Sequence, residues 1–469
     1  VCLKSGIIRT CFRQKLKNGV HPVKFVFFKK RLFQMKNTIA IRKENIDLTE
    51  KRSPLSPQHV KKLIKEYSLK VLLEPWSQRI FNDHEFQKSG AILTTQIDPA
   101  NIIFGVKEIP VAELQEGKAC VFFSHTIKGQ PQNMPLLKSV LGKNISLLDY
   151  EKVTDISGKR LIFFGPYAGL AGAINAIWLL GKRLDFEGIK NPFNKIRQAR
   201  DYISLSEAKQ AFKKLARDIY KNGLPKTGKP LVIVITGNGT VSKGAQEIID
   251  LLPVTETEPA EIPALFKTNY NSNIIYKVVI DCDNFVKPVN PADKFDMQDY
   301  FNNPYKYEAD FKKYLPFITV LINGIFWDRM YPRLVTKDDL KELYDKETQP
   351  ALRIIADITC DVEGSVECNL KSTTSENPSY VYNPFEKSIK DGIEGTGPVI
   401  LAVDKLPSEL PAEATQFFGD ALLPFIAELA RADFSQPFDK LSIPAEFKRA
   451  LITHRGKLTP SFEYLNEFL

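Results

Sequence analysis

Two kinds of apolar spacing alternate along the chain. Short runs of β-branched residues are separated by stretches in which apolar positions recur every three or four residues. The first pattern predicts strands and the second amphipathic helices. Thr38–Ile41, Val71–Leu73, Ile102–Val106, Ala119–Phe123 and Ile145–Leu148 predict strands in the first half. Leu231–Ile235, Ile318–Ile322, Arg353–Ile358 and Val399–Val403 predict strands in the second. The run LVIVI at 231–235 has no polar alternation, which marks a strand covered on both faces. Ser56-Pro57 joins a capping residue to a proline at the first helical position and predicts a helix through His59–Tyr67. Ser206–Lys221 reads as a further amphipathic helix, and residues 253–312, rich in Pro and Asn, as an elaborated connection. Strands and helices alternating on this scale predict a parallel, doubly wound α/β protein.

One segment imitates a membrane span. Leu161–Gly181 carries no charge and has about the length a spanning helix needs. Pro166 breaks it near its start, and Gly165, Gly169, Gly172 and Asn175 suit it poorly to hydrocarbon. Small residues at helical spacing let another backbone approach closely, so a buried inter-domain helix beginning after Pro166 is expected. Composition agrees: 469 residues, 43% hydrophobic and 26% charged, describe an ordinary globular chain and exclude disorder, collagen and a disulfide scaffold.

The formal charge of +10 suggests a polyanion partner, but its distribution argues otherwise. Nine of those charges sit in residues 1–34, which contain no acid, leaving +1 on the body. A nearly neutral body has no strong attraction to nucleic acid or anionic membrane. The basic leader admits three readings: an untranslated extension before Met35, a mitochondrial transit peptide, or a functional arm. A cytoplasmic protein is expected on the first, and a mitochondrial matrix protein on the second. The cysteines form no C-x-x-C pair and no zinc-spaced cluster, so no metal is expected, and Cys120, Cys282 and Cys360 read as buried thiols.

The strongest local signal follows LVIVI directly. Gly237, Asn238, Gly239, Thr240, Val241, Ser242 and Gly244 form a glycine-bearing turn that opens a helical stretch over Ala245–Leu252. Glycines there permit a tight turn and close approach of a pyrophosphate, and the following helix offers unpaired N–H groups. Ser242 stands where the usual spacing has its third glycine. Glu258 lies 21 residues after Gly237, near where an acid would hold ribose hydroxyls. A βα turn with no ligand is the competing reading. Lys107 and His125 each end a predicted strand in the first half, and ligands in open α/β sheets sit beyond strand carboxyl ends. Both residue types suit proton transfer, and Arg52, just before a helix, suits a carboxylate.

KRSPLSPQHVKKL, IIFGVKEIP, FFSHTIKGQPQNMPLL, FFGPYAGLAGAINA, TGNGTVSKGAQEI, LINGIFWDRMYPRL and IADITCDVEGSVE lie between about residue 38 and the end of the chain. Together they resemble the lysine–2-oxoglutarate reductase region of the aminoadipic semialdehyde synthases, within the alanine dehydrogenase and transhydrogenase-like superfamily. The resemblance implies two Rossmann-like domains with a cleft between them: 35–165 for substrate and catalysis, 166–398 for the dinucleotide, and 399–469 returning to the first. It implies Lys107 and His125 as the acid–base pair and Arg52 as a carboxylate ligand. Lys128, Glu108, Glu151 and Arg160 would line the substrate pocket, the last in an ambiguous register with Lys159. Asp357, or alternatively Asp361, would border the nicotinamide. The implied reaction joins lysine to 2-oxoglutarate and reduces the imine to saccharopine, which a saccharopine-cleaving dehydrogenase would then consume. NAD-dependent release of lysine from saccharopine, and a catalytically silent nucleotide-binding partner, are the alternatives. The resemblance favours NADPH, with Lys243 or Lys267 as the phosphate cation, whereas Glu256 and Glu258 favour NADH.

Overall fold

The computed structural model describes residues 35–267 and 269–469; the basic leader lies outside them. The first sheet is built from β1 (Met35–Ile41), β2 (Lys70–Leu73), β3 (Ile92–Leu93), β4 (Ala100–Phe104), β5 (Ala119–Phe122) and β6 (Ser146–Asp149). The helix Gly165–Phe186 then leads into a second sheet with β7 (Val232–Thr236), β8 (Val254–Glu256) and β9 (Ile275–Ile280). A small antiparallel ribbon, β10 (Val286–Pro288) and β11 (Tyr307–Ala309), interrupts it. The second sheet resumes with β12 (Val320–Asn323), β13 (Ile354–Asp357), β14 (Ser379–Asn383), β15 (Ser388–Asp391) and β16 (Val399–Leu401). The chain returns through the helix Pro411–Arg431 to β17 (Leu451–His454) and β18 (Lys457–Leu458) in the first sheet.

Both sheets have eight strands, ordered β18-β17-β6-β5-β4-β1-β2-β3 and β15-β14-β16-β13-β12-β7-β9-β8. Pairing is parallel at the centre of each and antiparallel only at the edges formed by β17, β18, β14 and β15. This is the doubly wound α/β architecture the spacing predicts. Central strands are buried throughout and mostly apolar because helices cover both faces. The boundary expected at 399 falls inside the second sheet: β16 pairs with β13, and the chain's return begins with the helix at Pro411.

Three elements differ from the sequence reading. The connection 253–312 contains β9, which pairs with β7. Its apolar run is interrupted by Lys277, which is nonetheless buried because its ammonium bonds Asp250 at 2.8 Å and Glu256 at 3.0 Å. The helix expected from Ala245 starts at Thr240, inside the glycine turn. Cys120 and Cys282 are buried free thiols as expected, but Cys360 is only half-buried.

The helix Gly165–Phe186 is buried by close approach to the helix Thr240–Ile249. A Cβ on Gly169 would lie 1.9 Å from the Val241 carbonyl oxygen, and one on Gly244 would lie 2.2 Å from that of Pro166. Both obstacles are backbone, so neither helix yields by rotating a side chain. Gly244 therefore serves helix–helix contact and not the ligand-facing turn. Gly169→Ala is expected to cost about 1–3 kcal/mol by overpacking; an unchanged urea midpoint would show that the helices can separate freely. Among the described residues no helix is long and apolar enough to cross a membrane.

Candidate active site

The carboxyl ends of β4, β5 and β6 and the glycine turn after β7 converge on one cavity of about 640 Å³. Arg52, Lys107, His125, Glu151, Lys159 and Arg160 line it from the first sheet's side, with Thr240 and Val241 from the second. The turn at 237–240 has the form a pyrophosphate cradle needs. Gly237 adopts φ +80°, a left-handed conformation that a side chain would strain. Its N–H is fixed to the Ile280 carbonyl at 2.9 Å. A Cβ on Gly239 would meet open space, and Asn238, Gly239 and Thr240 are exposed at the start of a ten-residue helix. Exposed N–H groups at a helix start favour an anion, so these residues fit a dinucleotide. Ser242 and Gly244 are buried behind them.

His125 sits in a left-handed turn, φ 53°, after β5. Its position is fixed from several sides. Asp149, buried at the end of β6, accepts from the Ser124 N–H at 2.9 Å and from the Ser124 hydroxyl, which also contacts Thr126 at 2.7 Å. Asn133 donates to the His125 carbonyl at 2.7 Å. Burial holds the Asp149 carboxyl above its ordinary value, against those donors. His125 Nδ1 bonds Glu108 Oε1. That hydrogen bond raises the imidazole pKa, with burial opposing it. Burial disfavours ionised Glu108, but the bond to His125 and the charges of His125 and Lys107 together outweigh it, and the carboxyl lies below its usual range. An ionised carboxylate only accepts, so Nδ1 carries the proton and Nε2 is left for the cavity. Glu108 thus stands behind His125 and does not itself line the cavity.

Lys107 follows β4, and its backbone is pinned from below. Glu44 accepts from the N–H groups of Val106 at 2.7 Å and Lys107 at 2.9 Å. Burial pushes the Glu44 carboxyl up to about 7, with Arg42 and the two N–H groups pulling the other way. Arg52 reaches the cavity but its fork is already filled: Nε and Nη2 bond Glu50 at 2.8 and 2.6 Å, both side chains are buried, and the guanidinium lies 4.2 Å above the Phe164 ring. Arg160 is open by contrast. It stacks over Phe123 at 5.6 Å, its buried Nε has no hydrogen-bond partner, and burial lowers its pKa with Glu151 opposing. Lys107, Lys159 and Arg160 form no ion pair among the described residues, so three cations face a partly apolar cavity without a carboxylate of their own.

Four expected residues lie elsewhere. Lys128 is exposed and does not line the cavity; its charge acts on Asp361, whose carboxyl burial raises. Asp357 is buried in a hub, accepting from Asn323 at 2.8 Å, Thr359 at 2.6 Å and Asn369 at 2.8 Å. Thr236 donates to Asn323 at 2.8 Å, so the hub braces the floor of the glycine turn. Glu258 is exposed beyond the outermost strand β8. Lys243 is exposed on the helix Thr240–Ile249. Glu44, Glu50, Asp149 and Lys405 were not read from the sequence. Lys405 lines the cavity and pairs with Asp47.

Comparison with known proteins agrees with this fold. Residues 40–171 match the model of the alanine dehydrogenase/PNT N-terminal domain, and 289–461 that of the C-terminal domain. Alpha-aminoadipic semialdehyde synthase, mitochondrial, of Mus musculus is 36% identical over 445 residues, covering 92% of this chain and 48% of that protein. The chain therefore spans about half the length of that relative. The saccharopine dehydrogenase [NAD(+), L-lysine-forming] of Emericella nidulans is 27% identical over 398 residues, covering 81% of this chain and 89% of that protein. Among solved structures, an L-alanine dehydrogenase superposes with a TM-score of 0.58 at 18% identity, covering 92% of this chain and all of that one.

Proposed function

The chain belongs to the alanine dehydrogenase/PNT family, and from that premise we propose that it is a nicotinamide-dependent oxidoreductase that condenses L-lysine with 2-oxoglutarate and reduces the resulting imine to saccharopine. The observation that carries this reading is the single cavity that holds His125 and the cations Lys107, Lys159 and Arg160 against the glycine turn. The aminoadipic semialdehyde synthase similarity over 92% of the chain supports the lysine-degrading direction. A bound nicotinamide dinucleotide, held at Gly237, Asn238, Gly239 and Thr240, supplies hydride.

The remaining chemistry falls to the chain's own side chains. The ε-amine of lysine must lose its proton before it attacks the keto carbon, and Lys107, which follows β4 and lines the cavity, is the base. The carbinolamine then needs a proton on its departing oxygen. His125 Nε2 supplies it, because Glu108 stabilises the doubly protonated ring. Saccharopine carries three carboxylates, and Lys159 and Arg160 offer charge-assisted donors to them. Apolar walls from Phe123, Phe163 and Phe164 exclude water from the imine. The product calls for a second dehydrogenase that cleaves it. The word mitochondrial in the mouse relative's name supports the matrix over the cytoplasm.

The test mixes the protein with lysine, 2-oxoglutarate and reduced nicotinamide of either phosphorylation state, following absorbance, and repeats it with saccharopine and the oxidised forms. Turnover in the forward mixture is expected. Turnover with saccharopine and NAD alone favours the lysine-forming reading, and none in any mixture rejects both.

A further inference from the structure

The turn that carries His125 is held by residues from the far end of the chain. Its carbonyls find donors one at a time. Asn133 donates to the His125 carbonyl at 2.7 Å, the Gly129 N–H to the Thr126 carbonyl at 3.1 Å, and the Tyr464 hydroxyl to the Ile127 carbonyl at 2.6 Å. The first two donors are local, whereas Tyr464 lies 337 positions from its acceptor. Ile127 is buried, and a carbonyl without a donor is costly away from water. His125 itself keeps a left-handed backbone, φ 53°, without being glycine. Such a conformation persists only where the surroundings over-determine it.

The segment that supplies Tyr464 is itself anchored. Thr459 follows β18; its N–H donates to the Ile452 carbonyl at 3.0 Å and its hydroxyl to that of Leu451. The helical turns Pro460–Phe468 therefore start from a fixed point on the first sheet. Phe462 and Leu465 bury their side chains in one apolar cluster with Ile109 and Ile127. Ile109 follows Glu108, and Ile127 lies two residues past His125, so this cluster anchors both partners of the His125–Glu108 bond. Phe468 covers the turn. Gly129 has φ +63°, and a Cβ there would lie 2.5 Å from the Phe468 ring. The Tyr464 ring stands at the surface, close enough to the cavity that the charge of Glu151 acts on its phenol.

Resting on the reading that His125 is the acid of this cavity, we propose that Tyr464 and Phe468 are its positioning residues, holding the turn 126–129 so that the ring meets Glu108 and presents Nε2 to the substrate. Tyr464→Phe removes one hydroxyl from an exposed ring and leaves Phe462 and Leu465 in place, so the fold should persist. The charged groups that act on the imidazole are Glu108, Lys107 and Asp149, and the variant alters none of them. The experiment titrates the full chain labelled with ¹⁵N-histidine. The chain has five histidines, and the His125 signal is the one lost in His125→Gln. In Tyr464→Phe the ring's pKa is expected to fall toward the ordinary histidine value as the bond to Glu108 loosens. The kcat for lysine and 2-oxoglutarate should fall about tenfold, the cost of a loosely held proton donor. Its loss with rising pH should set in at lower pH, while KM and coenzyme affinity stay unchanged. Phe468→Ala should act in the same direction, and Phe468→Leu, which keeps an apolar group over Gly129, should recover part of the loss. An unmoved His125 titration in Tyr464→Phe or in Phe468→Ala overturns the assignment of that residue. A fallen kcat with an unmoved pH limb also overturns it, because that marks general loosening of the fold. A titration that moves in the variants while wild type turns over no mixture upholds the positioning and rejects the proposed reaction alone.

Discussion

His125→Gln is expected to lower turnover by roughly 10²–10⁴, the usual weight of a positioned acid or base, while coenzyme affinity stays unchanged because the cradle lies on the second sheet. Lys107→Met should fall in the same range. The informative companion is Glu108→Gln. The Glu108 bond is the largest influence raising the His125 pKa, and burial works against it. Activity that needs a protonated ring is present at low pH and lost as pH rises through the ring's pKa. Removing Glu108's charge lowers that pKa, so the loss should set in at lower pH in the variant. Measuring kcat across pH for both proteins checks the assignment. Wild-type turnover in His125→Gln would take the ring out of the mechanism. An unmoved limb in Glu108→Gln would show that the limb belongs to another group.

What the sequence revealed follows how local each interaction is. Strand positions such as Val232–Ile235 and Ile102–Phe104 were legible because an apolar run needs no knowledge of its partners. Lys107 and His125 were legible because both end such runs at carboxyl tips, where parallel strands deliver their side chains to one cleft. β9 was not, since Lys277 in a strand core looks wrong until Asp250 and Glu256 arrive from elsewhere to neutralise it. Glu44 and Glu50 lie in a polar loop with no periodicity, and their importance comes from N–H groups and a guanidinium that only the fold encloses around them. Gly244 was read with the glycine turn although it lies two residues past the usual spacing, and the nearest obstacle to a side chain there is the backbone of another helix.

The buried pair of Arg52 and Glu50 yields the second large effect. As a substrate ligand alone, Arg52 would affect only the KM for a carboxylate. The structure fills its fork with Glu50, with both side chains out of water. Arg52→Ala therefore strands a buried carboxylate, and about 3–5 kcal/mol of stability should go with it. Glu50→Gln in the same background removes the stranded charge and should restore part of the loss. The pH dependence has a definite sign. Burial disfavours the Glu50 anion, but Arg52 outweighs it and holds the carboxyl below its ordinary value. A carboxyl whose folded pKa is depressed contributes stability above its unfolded pKa and loses it as pH falls through the folded one. The gap between wild type and Arg52→Ala should thus be widest near neutrality and close in acid. Thermal unfolding of the two single variants and the double variant at several pH values measures this. An Arg52→Ala protein as stable as wild type at neutral pH, with only its KM raised, would mean that the guanidinium leaves Glu50 for the substrate at no cost to the fold.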